Sequence, residues 1–131
     1  FGEMGSLFSL ADLVILGGSF MPKGGHNPLE PAAFGLPIIT GPHIFKNSAE
    51  FAGLRDVGVV FDVAETDDGL DATITGQKLA KLVIAIANDK PARRRIASAA
   101  KAYAMAANER SHIAARKIVL ETMKQPVKTN R

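Results

Sequence analysis

The chain has 131 residues, of which 47% are hydrophobic, 22% charged and 6% aromatic, and its formal net charge is +3. This composition excludes disorder as a description of the whole chain and predicts one domain with a single core. Because cysteine is absent, a disulfide framework, a thiolate metal site and a cysteine nucleophile are excluded. No apolar run approaches the roughly 20 residues that a membrane-spanning helix needs.

Six elements are predicted in the first half, where helical and strand-like segments alternate. They are a helix over 3–11, a strand over 13–16, a short helix over 28–34, a strand over 37–40, a helix over 47–54 and a strand over 57–63. The run 13–16 is wholly apolar and ends at Gly17-Gly18, which is typical of a strand buried on both faces. Asn27 is the expected N-cap of the short helix, with Pro28 as its first residue.

The second half follows an acidic, turn-rich loop over 64–75 and is predicted to be helical. It comprises a helix from Gly76 that ends near 88–91, an Ala-rich and Arg-rich helix over 92–108, and a last helix capped by Ser111. The arginines at 93–95 are expected to spread over a solvated side. The last helix has one apolar face, formed by Ala115, Ile118, Val119 and Met123.

Strands alternating with helices predict an α/β fold, a Rossmann-like parallel sheet with flanking helices. Only three strands are visible, whereas a doubly wound sheet normally has five or six. Because the first residue is Phe1 rather than Met, we expect the chain to be a piece of a longer protein with the other strands upstream. The expected domain spans 1–124, with a flexible tail over 125–131.

Charge is divided unevenly between the two halves. Residues 1–89 hold 5 Lys and Arg against 11 Asp and Glu, whereas residues 90–131 hold 11 against 2. A basic C-terminal third is typical of a surface for anionic lipid or nucleic acid, or of a solvated helical face. Tyr103 is the one aromatic residue in that third, so base stacking has little support and nucleic acid is not an expected partner.

The loop 17–27 and the helix after it carry the residues best suited to chemistry. Ligands of parallel α/β sheets bind at the carboxyl ends of the strands, and a helix N-terminus favours an anion there. The glycines would let a phosphate approach the backbone, although a flexible strand-to-helix connection explains them equally well. Glu30 either balances the helix dipole or accepts hydrogen bonds from both hydroxyls of a ribose.

The other candidate side chains leave several chemistries open. His26 could contact a phosphate, shuttle a proton or pack locally, and Lys23 could pair with an anion or be solvated. The three histidines, His26, His43 and His112, have no metal-ligand spacing, so no metal is expected. No Ser/His/Asp arrangement and no close carboxylate pair indicates a complete catalytic centre.

Four motifs together resemble the C-terminal part of the 3-deoxy-D-manno-octulosonic acid (Kdo) transferases. They are Gly2-Glu3-Met4-Gly5, Gly17-Gly18-Ser19, the run Gly24-Gly25-His26-Asn27-Pro28-Leu29-Glu30-Pro31-Ala32-Ala33, and Gly41-Pro42-His43. The resemblance covers residues 1 to about 54. It departs after His43, where the family often has an aromatic–Asn–Phe stretch and this chain reads Ile44-Phe45-Lys46-Asn47-Ser48, so the roles of 44–48 stay open.

The resemblance implies the donor-binding C-terminal half of a GT-B glycosyltransferase of Gram-negative bacteria. Such an enzyme transfers Kdo from CMP-Kdo to a lipid A precursor in lipopolysaccharide biosynthesis, at the cytoplasmic face of the inner membrane and without a cofactor. Its general base comes from the N-terminal domain, so no catalytic residue is assigned here and this soluble piece is expected to be inactive alone. The resemblance further implies contact with that N-terminal domain and peripheral contact with the anionic inner membrane.

The resemblance also implies that the donor nucleotide would lie on Phe1 and on residues of the first three motifs, with Glu30 as the ribose ligand. These residues are Phe1, Gly2, Glu3, Gly18, Ser19, Gly25, His26, Asn27, Pro28, Leu29 and Glu30. One alternative is another GT-B transferase that uses a UDP- or GDP-sugar. A second alternative is a non-catalytic module that binds anionic membrane or a protein partner through its basic helices.

Overall fold

The computed structural model describes residues 2–63 and 72–125. In chain order the elements are α1 (Gly2–Leu10), β1 (Val14–Leu16), α2 (Leu29–Ala33), β2 (Ile38–Thr40), α3 (Ser48–Asp56), β3 (Val60–Asp62), α4 (Ala72–Asn88) and α5 (Lys90–Met123). Single 3-10 turns lie at Gly17–Phe20 and Phe45–Asn47. The predicted elements are confirmed in kind, except that α4 begins before Gly76 and α5 is unbroken. Phe1, most of the predicted acidic loop (64–71) and most of the predicted tail (126–131) lie outside the described residues.

The three strands form a parallel sheet in the order β1-β2-β3. Val14 pairs with Ile38, and Ile38 pairs with Val60, so the carboxyl ends of all three strands reach the same edge. Helices cover both faces, since one core cluster joins the sheet to α2, α3 and α5 and a second joins it to α4. The predicted α/β class with a Rossmann-like parallel sheet is therefore confirmed.

Strand β1 differs from its prediction because one of its faces is open. Ile15 is 41% exposed, whereas its β2 partner Ile39 is fully buried against α4. Helix α4 covers the sheet over β2 and β3 but does not extend over Ile15. Burial on both faces is thus a property of the central strand β2 and not of the edge strand β1.

Helix α5 is one continuous helix of 34 residues, so the predicted break before Ser111 is wrong. The chain has no Gly or Pro between Ala92 and Gln125, and nothing in that stretch interrupts the helical hydrogen bonds. The helix begins within the predicted break near 88–91. The Asp89 carboxylate caps it by accepting a 2.9 Å hydrogen bond from the Ala92 amide.

Only the first half of α5 packs against the body of the protein. Its buried residues are Ile96, Ala100, Ala104 and Ala107. From Asn108 to Met123 every residue of α5 is exposed, including the predicted apolar face with Ile118 and Val119. No helix in the described part of the chain is long and apolar enough to cross a membrane.

Arg93 does not belong to a solvated basic face, contrary to the expectation for 93–95. It is half-buried, and its Nη1 donates hydrogen bonds to the carbonyl oxygens of Ile86, at 3.0 Å, and Ala87. These carbonyls lie in the last turn of α4, where intrahelical donors are missing. Arg93 therefore joins the end of α4 to the start of α5, while Arg94 and Arg95 are exposed.

Replacing Arg93 with Gln is expected to lower the free energy of unfolding by about 1–2 kcal/mol, because two carbonyl groups at the end of α4 lose a charged donor. Arg94→Gln is the matched control, and its effect should stay within about 0.5 kcal/mol since its side chain is exposed. Urea unfolding followed by circular dichroism measures both. Equal transition midpoints for the two variants would contradict the assigned role of Arg93.

A surface ion pair joins α3 to the end of β3. Arg55 donates from Nε and Nη2 to the two carboxylate oxygens of Asp62, at 2.6 and 2.7 Å. This hydrogen bonding raises the pKa of the Arg55 guanidinium above its ordinary value. Both side chains are partly exposed, so the pair orients the two elements and adds little to stability.

Candidate functional site

Two segments meet at the carboxyl edge of the sheet. The loop 17–27 leaves the end of β1 and leads to α2, and the segment 41–47 leaves the end of β2 and leads to α3. Because β1 and β2 are parallel neighbours, both segments begin side by side. This edge is the usual ligand position in open α/β sheets.

Asn27 lies two residues before the helix that carries Glu30 and bonds to its first amide. The Asn27 Oδ1 accepts a 3.0 Å hydrogen bond from the Leu29 amide, and the Pro28 carbonyl accepts the first helical bond from Ala32. The helix therefore starts at Leu29, one residue later than predicted, with Pro28 as the cap residue. Asn27 and Glu30 are both exposed at the start of α2, as a ligand-binding role requires.

The positive φ angles and close contacts within the protein explain the two neighbouring glycines of the loop, Gly24 and Gly25. Gly24 and Gly25 have φ of +88° and +77°, which side chains rarely adopt. A Cβ at Gly24 would lie 2.6 Å from Cγ of Lys46, and one at Gly25 would lie 3.2 Å from the His43 carbonyl oxygen. These glycines thus allow the loop to contact the segment 41–47, a reason that differs from the phosphate approach considered from the sequence.

His26 lies on Gly18 and brings two of the predicted residues together. A Cβ at Gly18 would lie 3.4 Å from both Cδ2 and Nε2 of His26, so the imidazole covers the glycine. The His26 side chain remains exposed. An imidazole held in this position lies beside Gly25 and Asn27 and can face a ligand at the edge.

Two predicted site residues do not offer their side chains to a ligand. Ser19 and Pro28 are both fully buried. The Ser19 hydroxyl donates to the Leu16 carbonyl and accepts a 2.7 Å hydrogen bond from the Gly41 amide. The side chains of Ser19 and Pro28 therefore point into the protein, and their place in the donor site stays a prediction, whereas Leu29 is half-buried and can contribute apolar surface.

Helix α1 carries the remaining predicted residues. Glu3 is exposed in its first turn, and Gly2 is its first residue. The helix contacts the region beyond α2 through Phe8 and Phe34, whose ring centroids are 5.7 Å apart. The roles of Gly2 and Glu3 stay predictions, and Phe1 lies outside the described residues.

Lys46 was absent from the site residues predicted from the sequence, although it contacts the loop 17–27 from the segment 41–47. Its amide donates a 3.4 Å hydrogen bond to the Gly24 carbonyl, and its exposed side chain runs along Gly24. The available signal was its position shortly after β2, the strand next to β1. Lys46 and Lys23 together place positive charge beside the loop.

An open groove of about 520 Å³ lies between α2 and α5, beside Glu30. Its polar lining comes from Asn27, Glu30, Lys101, Asn108 and Ser111. These groups can donate and accept hydrogen bonds, although most of the groove surface is apolar. Within residues 2–63 and 72–125, no cluster of three or more His, Cys, Asp or Glu side chains could hold a metal ion.

Comparison with known proteins relates this arrangement to one enzyme family. No protein-family model matches the chain. The 3-deoxy-D-manno-octulosonic acid transferase of Haemophilus influenzae is 38% identical over 98 residues, which cover 75% of this chain and 21% of that protein. The enzyme of the same name from Rickettsia felis is 54% identical over 68 residues, which cover 52% of this chain and 14% of that protein. This chain is therefore similar in sequence to the Kdo transferases.

A solved structure of a C-terminal domain has a fold similar to that of this chain. It is the C-terminal CMP-Kdo binding domain of WaaA from Acinetobacter baumannii, with a TM-score of 0.63 and 25% sequence identity. The superposition covers 79% of this chain and 49% of that domain. The chain therefore spans about half of the solved domain and about a fifth of the H. influenzae Kdo transferase.

Proposed function

We propose that this chain is the donor-nucleotide-binding part of a Kdo transferase. The full protein would be a glycosyltransferase that moves Kdo from CMP-Kdo to a lipid A precursor at the cytoplasmic face of the inner membrane. The observation that carries the proposal is the exposed Glu30 carboxylate in the first turn of α2, directly after the loop at the carboxyl edge of the sheet. The similarity to a CMP-Kdo binding domain supports the same donor.

The described side chains would make two kinds of contact with the donor, one with its ribose and one with its phosphate. Glu30 would accept hydrogen bonds from the two ribose hydroxyls, since one carboxylate has enough lone pairs for a vicinal diol. His26, Lys23 and Lys46 would lie near the phosphate, and the Asn27 amide nitrogen can donate to it. No cofactor is needed, and the general base would come from the N-terminal domain of the full protein, so the chain alone would bind the nucleotide without transferring sugar.

A titration of the 131-residue chain with CMP, UMP and GMP, followed by NMR, tests this proposal. We expect CMP to bind in preference to the other two nucleotides. Glu30→Gln should weaken CMP binding by more than about tenfold, because a charged acceptor of two hydrogen bonds is lost. Glu50→Gln is the matched control, since Glu50 lies in the first turn of α3 and should leave the affinity unchanged.

The outcomes separate the candidate donors. Equal binding of all three nucleotides would contradict a CMP-specific site, and preference for UMP or GMP would favour a GT-B transferase with another donor. If the folded chain binds no nucleotide, the proposed function is wrong. The NMR spectrum of the free chain establishes folding before each titration.

The exposed half of α5 favours a second, compatible role at an anionic membrane. It combines the basic residues Arg110, Arg116 and Lys117 with exposed Ile118 and Val119. A helix with basic and apolar side chains is attracted to anionic lipid, by about 1 kcal/mol per basic residue near the surface. We expect co-sedimentation with phosphatidylglycerol vesicles that is lost when Arg116 and Lys117 become Gln and kept in Glu30→Gln. Equal sedimentation of these variants would contradict this role.

A further inference from the structure

The loop after β1 and the segment after β2 are joined at Ser19. Its hydroxyl donates to the Leu16 carbonyl and accepts from the Gly41 amide, 22 residues away in sequence. Its carbonyl accepts a 2.9 Å hydrogen bond from the His43 amide. We call Ser19, Gly41 and His43 the loop junction.

Within the loop junction, the contact between Ser19 and Gly41 is closely packed and closed to solvent. Ser19 is fully buried and Gly41 is also buried. A Cβ at Gly41 would lie only 2.7 Å from the Ser19 carbonyl oxygen and 3.0 Å from Cα of Phe20, so the two backbones approach as closely as glycine allows. A hydroxyl in this position reaches no ligand, and its hydrogen-bonding capacity is used inside the protein.

The junction determines where the exposed part of the loop lies. Gly25 packs under the His43 carbonyl, and the Gly24 carbonyl accepts a hydrogen bond from the Lys46 amide. His26 follows directly and rests on Gly18, the residue before Ser19. The imidazole therefore sits on a backbone that the loop junction holds against the segment 41–47.

We propose that Ser19 is a positioning residue of the donor site, whose hydroxyl holds the loop 17–27 in the conformation that binds the nucleotide phosphate. This inference rests on the proposed function, because it names a determinant of the same site. Without the hydroxyl, the buried Gly41 amide loses its acceptor, and separation of the two segments would let water reach it. Such separation would move Gly25 and His26 relative to Glu30.

The test compares Ser19→Ala with Thr40→Val. Thr40 is the matched control because it is also fully buried and its hydroxyl donates to the Gly41 carbonyl, at 3.2 Å, without joining the two segments. CMP affinity is expected to fall about tenfold in Ser19→Ala and less than about twofold in Thr40→Val. Thermal unfolding measures how much each variant is destabilised. If the two variants are destabilised equally but Ser19→Ala loses more CMP affinity than Thr40→Val, the Ser19 hydroxyl positions the loop.

Hydrogen exchange of the Gly41 and His43 amides provides a readout that does not need the ligand. In Ser19→Ala both amides should exchange faster than in wild type, while the amides of the sheet stay protected. Thr40→Val should preserve the protection of both amides. Ser19→Cys should recover part of the protection, since a thiol is a weak hydrogen-bonding group.

The outcomes distinguish this inference from the proposed function. If wild type binds CMP and Glu30→Gln weakens it, but Ser19→Ala and Thr40→Val bind CMP equally well, the inference is overturned and the proposed function stands. If folded wild type binds no CMP, the proposed function and the donor-site role of Ser19 are both overturned. Faster exchange in Ser19→Ala would then assign the hydroxyl to the loop junction as a structural contact alone.

Discussion

Replacing Phe51 with Ala is expected to lower the free energy of unfolding by about 3–5 kcal/mol. Phe51 lies on α3 and is fully buried, in the cluster that joins the sheet to α2, α3 and α5. Its Cε2 also lies near Gly25, 3.8 Å from the position that a Cβ there would take. The variant therefore loses apolar burial in the core and support beneath the glycine loop.

Phe45→Ala is the matched control for this prediction. Phe45 is 62% exposed, so the same truncation removes little buried surface and should cost less than about 1 kcal/mol. Guanidinium unfolding followed by circular dichroism compares both variants with wild type. A domain of this size has about 5–15 kcal/mol of stability, so Phe51→Ala should shift the midpoint strongly. Similar midpoints for the two variants would contradict the core assignment.

The second large effect is expected at Gly35, where α2 ends against α5. Its φ is +75°, which costs a residue with a Cβ about 1–2 kcal/mol. A Cβ there would also lie 3.1 Å from Cβ and 3.2 Å from Cα of Ala97, and the latter belongs to the rigid backbone of α5. Gly35→Ala is therefore expected to lower the free energy of unfolding by about 2–3 kcal/mol, because backbone strain and displacement of α5 add.

Gly58→Ala separates these two contributions. Gly58 has nearly the same φ, +79°, and no atom lies within 4 Å of its ideal Cβ position. Its replacement should cost only the backbone strain, about 1–2 kcal/mol, and urea unfolding followed by circular dichroism measures both Gly35→Ala and Gly58→Ala. An equal loss in both variants would show that α5 does not resist a Cβ at Gly35.

The fold was largely predictable because its strands are short apolar runs bounded by glycine and proline. The run 13–16 ends at Gly17-Gly18, and the run 37–40 ends at Gly41-Pro42. Helices between such runs leave a parallel sheet as the simplest arrangement. Burial of each strand was less predictable, because the exposure of Ile15 depends on how far α4 extends across the sheet.

The candidate site was predictable only in part, and the resemblance supplied most of its residues. Asn27, Glu30 and His26 are exposed at the carboxyl edge, as expected. Ser19 belonged to the same motif set but is buried, because its hydrogen-bond partner Gly41 comes from the next strand. Motif membership does not distinguish a residue that faces the ligand from one that holds the loop.

The sequence by itself determined the α/β class, the order of strands and helices along the chain and the break between helices near 88–91, since these depend on apolar periodicity and on local backbone preferences. Only the tertiary structure decided which residues are covered. Arg93 is half-buried because the end of α4 lies beside it, and Ser19 is fully buried because the segment after β2 packs on it. Coverage depends on neighbours that are distant in sequence, and no local pattern contains that information.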